Sequence, residues 1–423
     1  MPSVRAASAL QSPDETEPVL EIAGLSIVYQ AAGGDVKAVT EVDLSLGVGE
    51  VVGLAGESGS GKSTLAYGAC RLLRPPALIT HGRVIYRGRR VQEPVDLLRR
   101  GPEGLRELRW REIAIVFQSA MNALNPVLSI QAQLVDAIVA HLELSRIESL
   151  EKAAGLLDLV GIGRSRLRSY PHELSGGQRQ RVMIAMALAA DPEVVIMDEP
   201  TTALDVVVQR DILAQIVELQ ETLGFGILFI THDLSLLLEF ADRVAVMYAG
   251  RLVETGTAED IYRRPLHPYT KGLLGSFPTL HGARRQLTGI GGWPPDLRNL
   301  PPGCPFLPRC GLGSSDCSSV DMRLLKVDSA SPEHFSACPF AVAGGPDGAE
   351  RVLGTGADVG GGGLSGGGAT GPAVPSDGQP LEAGVGGPPT VYAQENPAFV
   401  ADVVQGKAGQ GPTSQLAGER GGE

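Results

Sequence analysis

From residue 19 to about 254, short apolar runs alternate with stretches of helical spacing, the order expected of an α/β domain. Runs at 51–55, 113–117, 194–197, 227–230 and 244–247 suit strands buried on both faces. Residues 130–160 and 179–189 show helical spacing without strand signals, which predicts an all-helical insert at about 120–190. From Pro265 to Phe340 the chain is turn-rich, with Pro-Pro at 294–295 and 301–302. Beyond it, 360–363 and 366–368 are all glycine in a polar stretch poor in aromatics, which cannot offset the entropy of ordering. These changes divide the chain into a flexible leader (1–17), an α/β domain (18–255), a loop-rich extension (256–342) and a disordered tail (343–423). No internal repeat is present.

Composition refines this division. The 423 residues suffice for two or three domains, and 43% apolar with 20% charged residues supports a sizeable core. The formal charge is −12, and half of it lies after residue 340, so the folded body is only mildly acidic and offers no nucleic-acid footprint. The longest apolar run, 182–190, is too short to span a membrane. The acidic beginning lacks the apolar stretch of a signal peptide, which predicts a cytoplasmic chain. In that reducing setting the cluster Cys304, Cys310, Cys317 and Cys338 points to metal rather than disulfides, while Cys70 reads as a small buried hydrophobe.

The strongest motif follows the run at 51–55. Gly56, Glu57, Ser58, Gly59, Ser60, Gly61, Lys62, Ser63 and Thr64 form a glycine-rich loop between a strand and a helix. Its amides can turn inward around a β-phosphate at the positive end of the following helix. Lys62 would reach the β- and γ-phosphates, and the Ser63 hydroxyl would ligate Mg²⁺. The strand at 194–197 leads into Asp198 and Glu199; Asp198 is placed to hold Mg²⁺ through water, and Glu199 to polarise an attacking water.

Leu174, Ser175, Gly176, Gly177 and Gln178 resemble the signature of ATP-binding cassette (ABC) ATPases, and other motifs of that family occur in the same order. Tyr29 is similar to the aromatic that stacks on adenine, Gln118 to the glutamine that senses Mg²⁺ and water, and His232 to the switch histidine near the γ-phosphate. Ala203, Leu204 and Asp205 resemble the loop joining two sites. The resemblance covers roughly 19–255. It implies a phosphate-loop α/β core with an antiparallel β subdomain, and a dimer in which one protomer's signature closes on its partner's ATP.

Several segments resemble the ATPases of di- and oligopeptide importers: residues 170–173, 182–190 and 201–209, Asn122 to Pro126, His267 to Thr270, and Gly303 to Phe306. Ala185, Met186 and Ala187 resemble the first of that subfamily's two paired ATPases. A related branch imports nickel. Two features depart from the pattern: Trp110 stands where the family usually has glycine, and the tail after 342 has no counterpart. The resemblance implies an ATPase bound to the cytoplasmic face of the membrane. Its partners would be two permease subunits, a paralogous or identical ATPase and, indirectly, an extracytoplasmic binding protein, with no nucleic acid. A soluble ATPase of translation or DNA repair is the rival from another class, disfavoured by the single cassette and the lack of a long coiled coil. A regulatory or scaffolding role for the tail and cysteine region is a third reading, opposed by Lys62, Glu199 and His232 all being present.

The four cysteines predict one inorganic centre with a structural role, a [4Fe–4S] cluster or alternatively Zn²⁺. Their spacing contains no close pair of the kind structural zinc uses, and Cys304 and Cys338 each precede proline. His334 could replace one ligand.

Overall fold

The computed structural model describes residues 17–118, 123–202, 204–276, 289–327 and 331–341. The expected leader to residue 16 and the tail at 343–423 lie outside the described residues, as do Asn122 and Ala203.

The chain opens with β1 (Leu20–Tyr29), β2 (Val36–Leu46), β3 (Val51–Ala55), α1 (Lys62–Ala69), β4 (Ala77–Tyr86) and β5 (Val95–Asp96). After α2 (Pro102–Leu108) and β6 (Ile113–Val116) come α3 (Ile130–His141), α4 (Arg146–Leu159) and α5 (Gly176–Ala187). The alternation then resumes with β7 (Val194–Asp198), α6 (Val206–Leu223), β8 (Gly226–Ile230), α7 (Leu234–Leu237), β9 (Arg243–Tyr248) and β10 (Arg251–Thr257). The last elements are α8 (Ala258–Arg263), α9 (Pro268–Gly275), β11 (Leu325–Lys326) and β12 (Phe335–Ser336).

Two sheets form. A four-stranded antiparallel sheet has the order β2-β1-β4-β5, and an eight-stranded sheet the order β11-β12-β10-β9-β3-β8-β7-β6. Within the second, β9, β3, β8, β7 and β6 run parallel, while β10, β12 and β11 add antiparallel at one side. Apart from Arg243 at the start of β9 and Asp198 at the end of β7, the parallel strands carry no charged residue, as expected of strands covered on both faces. Val51 and Ala55 of β3 join the core shared with the helices α3 to α7, whereas Val52 and Leu54 pack with the antiparallel sheet and α1. β7, β8 and β9 divide their side chains between the same two cores.

The helical stretch expected over 130–160 is two helices. It breaks at Leu142–Ser145, where Ser145 and Glu148 form a reciprocal capping box that starts α4. Trp110 stands where the family resemblance leads one to expect glycine, and its φ of +71° lies in the left-handed region that favours glycine. Its indole N–H donates to Met186 O at 2.8 Å, and its ring stacks on His141 at 5.6 Å, tying the helical insert to the sheet.

The extension shares the main sheet and its core. Strand β10 runs across residue 255 and carries β12 on its far edge, while Cys304, Phe306, Cys317 and Met322 pack into the helix-side core. Glu254 pins this junction. Fully buried, it accepts hydrogen bonds from the backbone N–H groups of Leu266 and His267, both at 2.8 Å, and lies 2.8 Å from His334 Nε2. Replacing Glu254 by alanine strands those partners in the core and should destabilise the chain by about 3–5 kcal/mol. Urea unfolding of the full chain measures this, and a loss below ~1 kcal/mol would show that Glu254 does not hold the extension.

Candidate active site

Because β3, β6, β7 and β8 are parallel, the loops at their carboxyl ends lie along one edge of the sheet, the place where open α/β folds bind ligands. The loop after β3 is shaped by glycine where no side chain fits. Gly56 (φ +152°) and Gly61 (φ +106°) would each set a Cβ 2.2 Å from a backbone carbonyl oxygen, of Met247 and Ala38 respectively. Ser58 and Gly59 form the exposed crest, and Ser60 is buried. The loop feeds α1, whose amino end favours anions.

Lys62, the first residue of α1, is buried and folds back over the loop. Its ammonium donates to Gly56 O at 2.8 Å and to Glu57 O at 3.0 Å. Burial lowers its pKa, opposed by the charges of Glu199, Asp198 and Glu57. The Ser63 hydroxyl, on α1, donates to Asp198 Oδ1 at the end of β7, at 3.0 Å. Asp198 is fully buried and its Oδ2 accepts no hydrogen bond. A buried carboxylate with a free oxygen beside a hydroxyl is a donor set suited to Mg²⁺, which prefers oxygen ligands and keeps several waters. Where Mg²⁺ is bound, Ser63 and Asp198 would hold it and its charge would offset this burial.

Glu199 follows in the left-handed region, φ +45°, a strained conformation for a carboxylate residue at the sheet edge. Its backbone N–H is fixed to Ile230 O at 2.9 Å. Gln118 Nε2 donates to Oε2 at 3.1 Å, the Thr202 hydroxyl donates to the same oxygen at 3.0 Å, and His232 Nδ1 lies 3.3 Å from Oε1. The ends of β6 and β8 thus bring Gln118 and His232 to the Glu199 carboxylate at the end of β7, an arrangement able to orient and deprotonate a water. The Tyr29 hydroxyl lies 3.2 Å from Thr64 Oγ1, which sets the aromatic expected at the adenine against α1.

Other expected residues stand apart from this cluster. Ser175 and Gln178 cap the start of α5 by bonding each other, Ser175 N–H to Gln178 Oε1 at 3.1 Å and Gln178 N–H to Ser175 Oγ at 3.3 Å. Gly176 opens that helix, and Gly177 lies so close to α6 that a Cβ would sit 2.7 Å from Val208 Cγ1. Asp205 caps α6 through Val208 N–H at 3.0 Å. Cys304, Cys310, Cys317 and Cys338 are free thiols, three of them buried, and Cys304 N–H donates to Cys317 O at 2.8 Å. Burial pushes the Cys304 thiol up to about 11, with the other three cysteines adding to it. Among the described residues, however, no three His, Cys, Asp or Glu side chains are placed to hold a metal ion. The cysteines supply the donor chemistry of the expected centre without the cage.

Three contacts have no counterpart among the residues expected from the sequence. Thr202, three residues after Glu199, carries a usable signal in its spacing. Tyr269 Oη accepts the Glu57 backbone N–H at 2.8 Å, and Arg309 pairs with the Glu57 carboxylate at 2.7 Å, both from the extension and both invisible to local pattern.

Burial raises the pKa of Asp198 above that of an ordinary aspartate, so its ionised form costs stability once pH exceeds the carboxylate range. Asp198→Asn should therefore raise Tm at neutral pH by a few degrees, ~2–4 °C per kcal/mol in a domain of this size. The gain should fade below about pH 4. The same variant should lose any Mg²⁺-dependent rise in Tm; an unchanged or lower Tm in the metal-free chain would contradict the burial argument.

Comparison with known proteins places this geometry. Residues 39–202 match the ABC transporter family, and residues 253–317 match the oligopeptide/dipeptide transporter C-terminal region. A putative peptide import ATP-binding protein of Brucella melitensis is 46% identical over 331 residues, covering 76% of this chain and 97% of its own. The dipeptide transport ATP-binding protein DppD of Bacillus subtilis is 44% identical, over 70% of this chain and 87% of its own. Among solved structures, a dimeric ATP-binding cassette in a post-hydrolysis state with ADP and Pi matches at TM-score 0.50 and 27% identity, covering 56% of this chain and 98% of that one. The cbiO1 protein of Clostridium perfringens, part of an ABC transporter complex, matches at TM-score 0.50 and 31% identity, covering 59% and 92%. With a glycine loop, a buried aspartate and a polarised glutamate on one sheet edge, and relatives of this identity along three quarters of its length, the chain belongs to the ABC transporter ATP-binding proteins.

Proposed function

We propose that this chain is the ATP-hydrolysing subunit of a membrane importer of di- or oligopeptides. The observation that carries the reading is the Glu199 carboxylate, held between Gln118, Thr202 and His232 beside the Lys62 loop. The peptide cargo is supported by the match of 253–317 to the oligopeptide/dipeptide transporter C-terminal region and by relatives named for peptide and dipeptide transport.

In this reading Gly56 to Thr64 would cradle the phosphates, Tyr29 would stack on adenine, and Ser63, Asp198 and Gln118 would hold Mg²⁺. Glu199 takes the proton of the attacking water, His232 contacts the γ-phosphate, and Asp205 links the two sites of a dimer. The capped start of α5, with Ser175, Gly176, Gly177 and Gln178, closes on a partner's ATP; its hydrogen bonds to itself leave its geometry set before that encounter. The partner is a second copy or a paralogue. Among the described residues no helix is long and apolar enough to cross a membrane, so the pathway is supplied by two permease subunits, with this chain docked at the cytoplasmic face and an extracytoplasmic binding protein delivering cargo.

Glu199→Gln should retain ATP binding, lower hydrolysis in the assembled transporter about 10²–10⁴-fold, and accumulate an ATP-bound dimer. Near-normal turnover would remove Glu199 from the chemistry. We also propose a structural [4Fe–4S] cluster or Zn²⁺ for Cys304, Cys310, Cys317 and Cys338, supported by four free thiols within one segment of little regular structure. Anaerobically purified full chain should contain iron and sulfide, or zinc, in stoichiometric amount; a folded, metal-free chain would overturn the centre.

A further inference from the structure

The phosphate-binding loop is gripped from outside by the extension. Arg309 ends a short 3₁₀ turn, Leu307–Arg309, and its side chain is only 4% exposed. Its guanidinium forks onto the Glu57 carboxylate, Nη1 to Oε2 at 2.7 Å and Nη2 to Oε1 at 2.9 Å. The rest of the fork is also occupied: Nε donates to Gly291 O at 2.9 Å, Nη1 to the Tyr248 hydroxyl at 3.3 Å and Nη2 to Ile290 O at 3.4 Å. The cation lies 5.8 Å from the Tyr248 ring centre and 5.9 Å from that of Phe306. An arginine with its fork filled and its plane flanked by aromatic rings holds one orientation, and a bidentate carboxylate pair is the most directional ion pair available to it.

Glu57 is thereby fixed at three points. Arg309 holds its carboxylate, Tyr269 Oη accepts its N–H at 2.8 Å, and its carbonyl accepts from Lys62 Nζ at 3.0 Å. The loop around it turns at Gly56, Gly59 and Gly61, all at positive φ, and such a backbone loses much freedom on ordering. A clamp that orders the loop in advance removes that cost from nucleotide binding. From this geometry, and resting on the ATP-binding reading above, we propose that Arg309 is a positioning residue for nucleotide. The extension presets the phosphate-binding loop through the Arg309–Glu57 pair, so ATP affinity depends on a residue outside the ATPase motifs.

The test is equilibrium binding of a fluorescent ATP analogue (MANT-ATP) with Mg²⁺ to the full chain, with thermal unfolding measured beside it. Arg309→Met and Glu57→Gln should each weaken binding about tenfold, with Arg309→Lys falling between them and wild type. The double variant should bind no worse than either single one, because both remove the same interaction. Glu57→Gln keeps the side-chain shape and should leave Tm within a few degrees, so it carries the test if Arg309→Met does not fold. Wild-type affinity in Glu57→Gln and Arg309→Lys, or losses that add in the double variant, would overturn the clamp. Failure of the wild-type chain to bind would instead overturn the ATP-binding reading on which the clamp rests.

Discussion

Asp198 ends β7 with its carboxylate wholly removed from water, and the cost of holding that charge there organises the edge of the sheet around it. Desolvation of a carboxylate is expensive, and the hydroxyls of Tyr67 and Ser63 offset only part of it. Lys62 is subject to the same burial with the opposite sign, and the two charges face a loop of backbone amides and carbonyls at the start of α1. A charged group that requires both amide donors and a cation, such as a polyphosphate with Mg²⁺, would relieve both at once.

The parallel sheet makes this possible. Five parallel strands buried on both faces form a rigid platform, and three of their ends aim Gln118, Glu199 and His232 at one point. The strain at Glu199, a left-handed residue with a carboxylate side chain, is sustained by the fixed strands on either side. The helical insert is tied to the same platform through Trp110, whose indole reaches Met186 and whose ring meets His141. Trp110 thus joins α5 and the end of α3 to the strand leading to Gln118.

Much of this architecture is legible in the amino-acid sequence. The run at 51–55 is β3 residue for residue, and the runs at 194–197 and 227–230 fall inside β7 and β8, because strands buried twice are continuously apolar. The glycine loop is legible because its backbone demands glycine at defined positions. What escapes is non-local or too short to have a period. Strand β12 is two residues long and is defined by its pairing with β10 and β11, so the extension's entry into the main sheet has no sequence signature. The break between α3 and α4 is signalled by Ser145 and Glu148 three apart, but the apolar spacing across it is unbroken and outweighs that cap. Arg309 and Tyr269 reach Glu57 from more than 200 residues away, a separation at which local pattern carries no information.

In the proposed function this chain holds one half of each of two ATP sites, with its glycine loop leading into α1 and Ser175 at the start of α5. Photolabelling with an azido-ATP in the assembled transporter, with Ser175→Arg in this chain alone, tests it most directly. The account predicts that label on this chain's own Lys62 loop persists while label at the partner's loop is lost. Loss confined to this chain's own loop would contradict it.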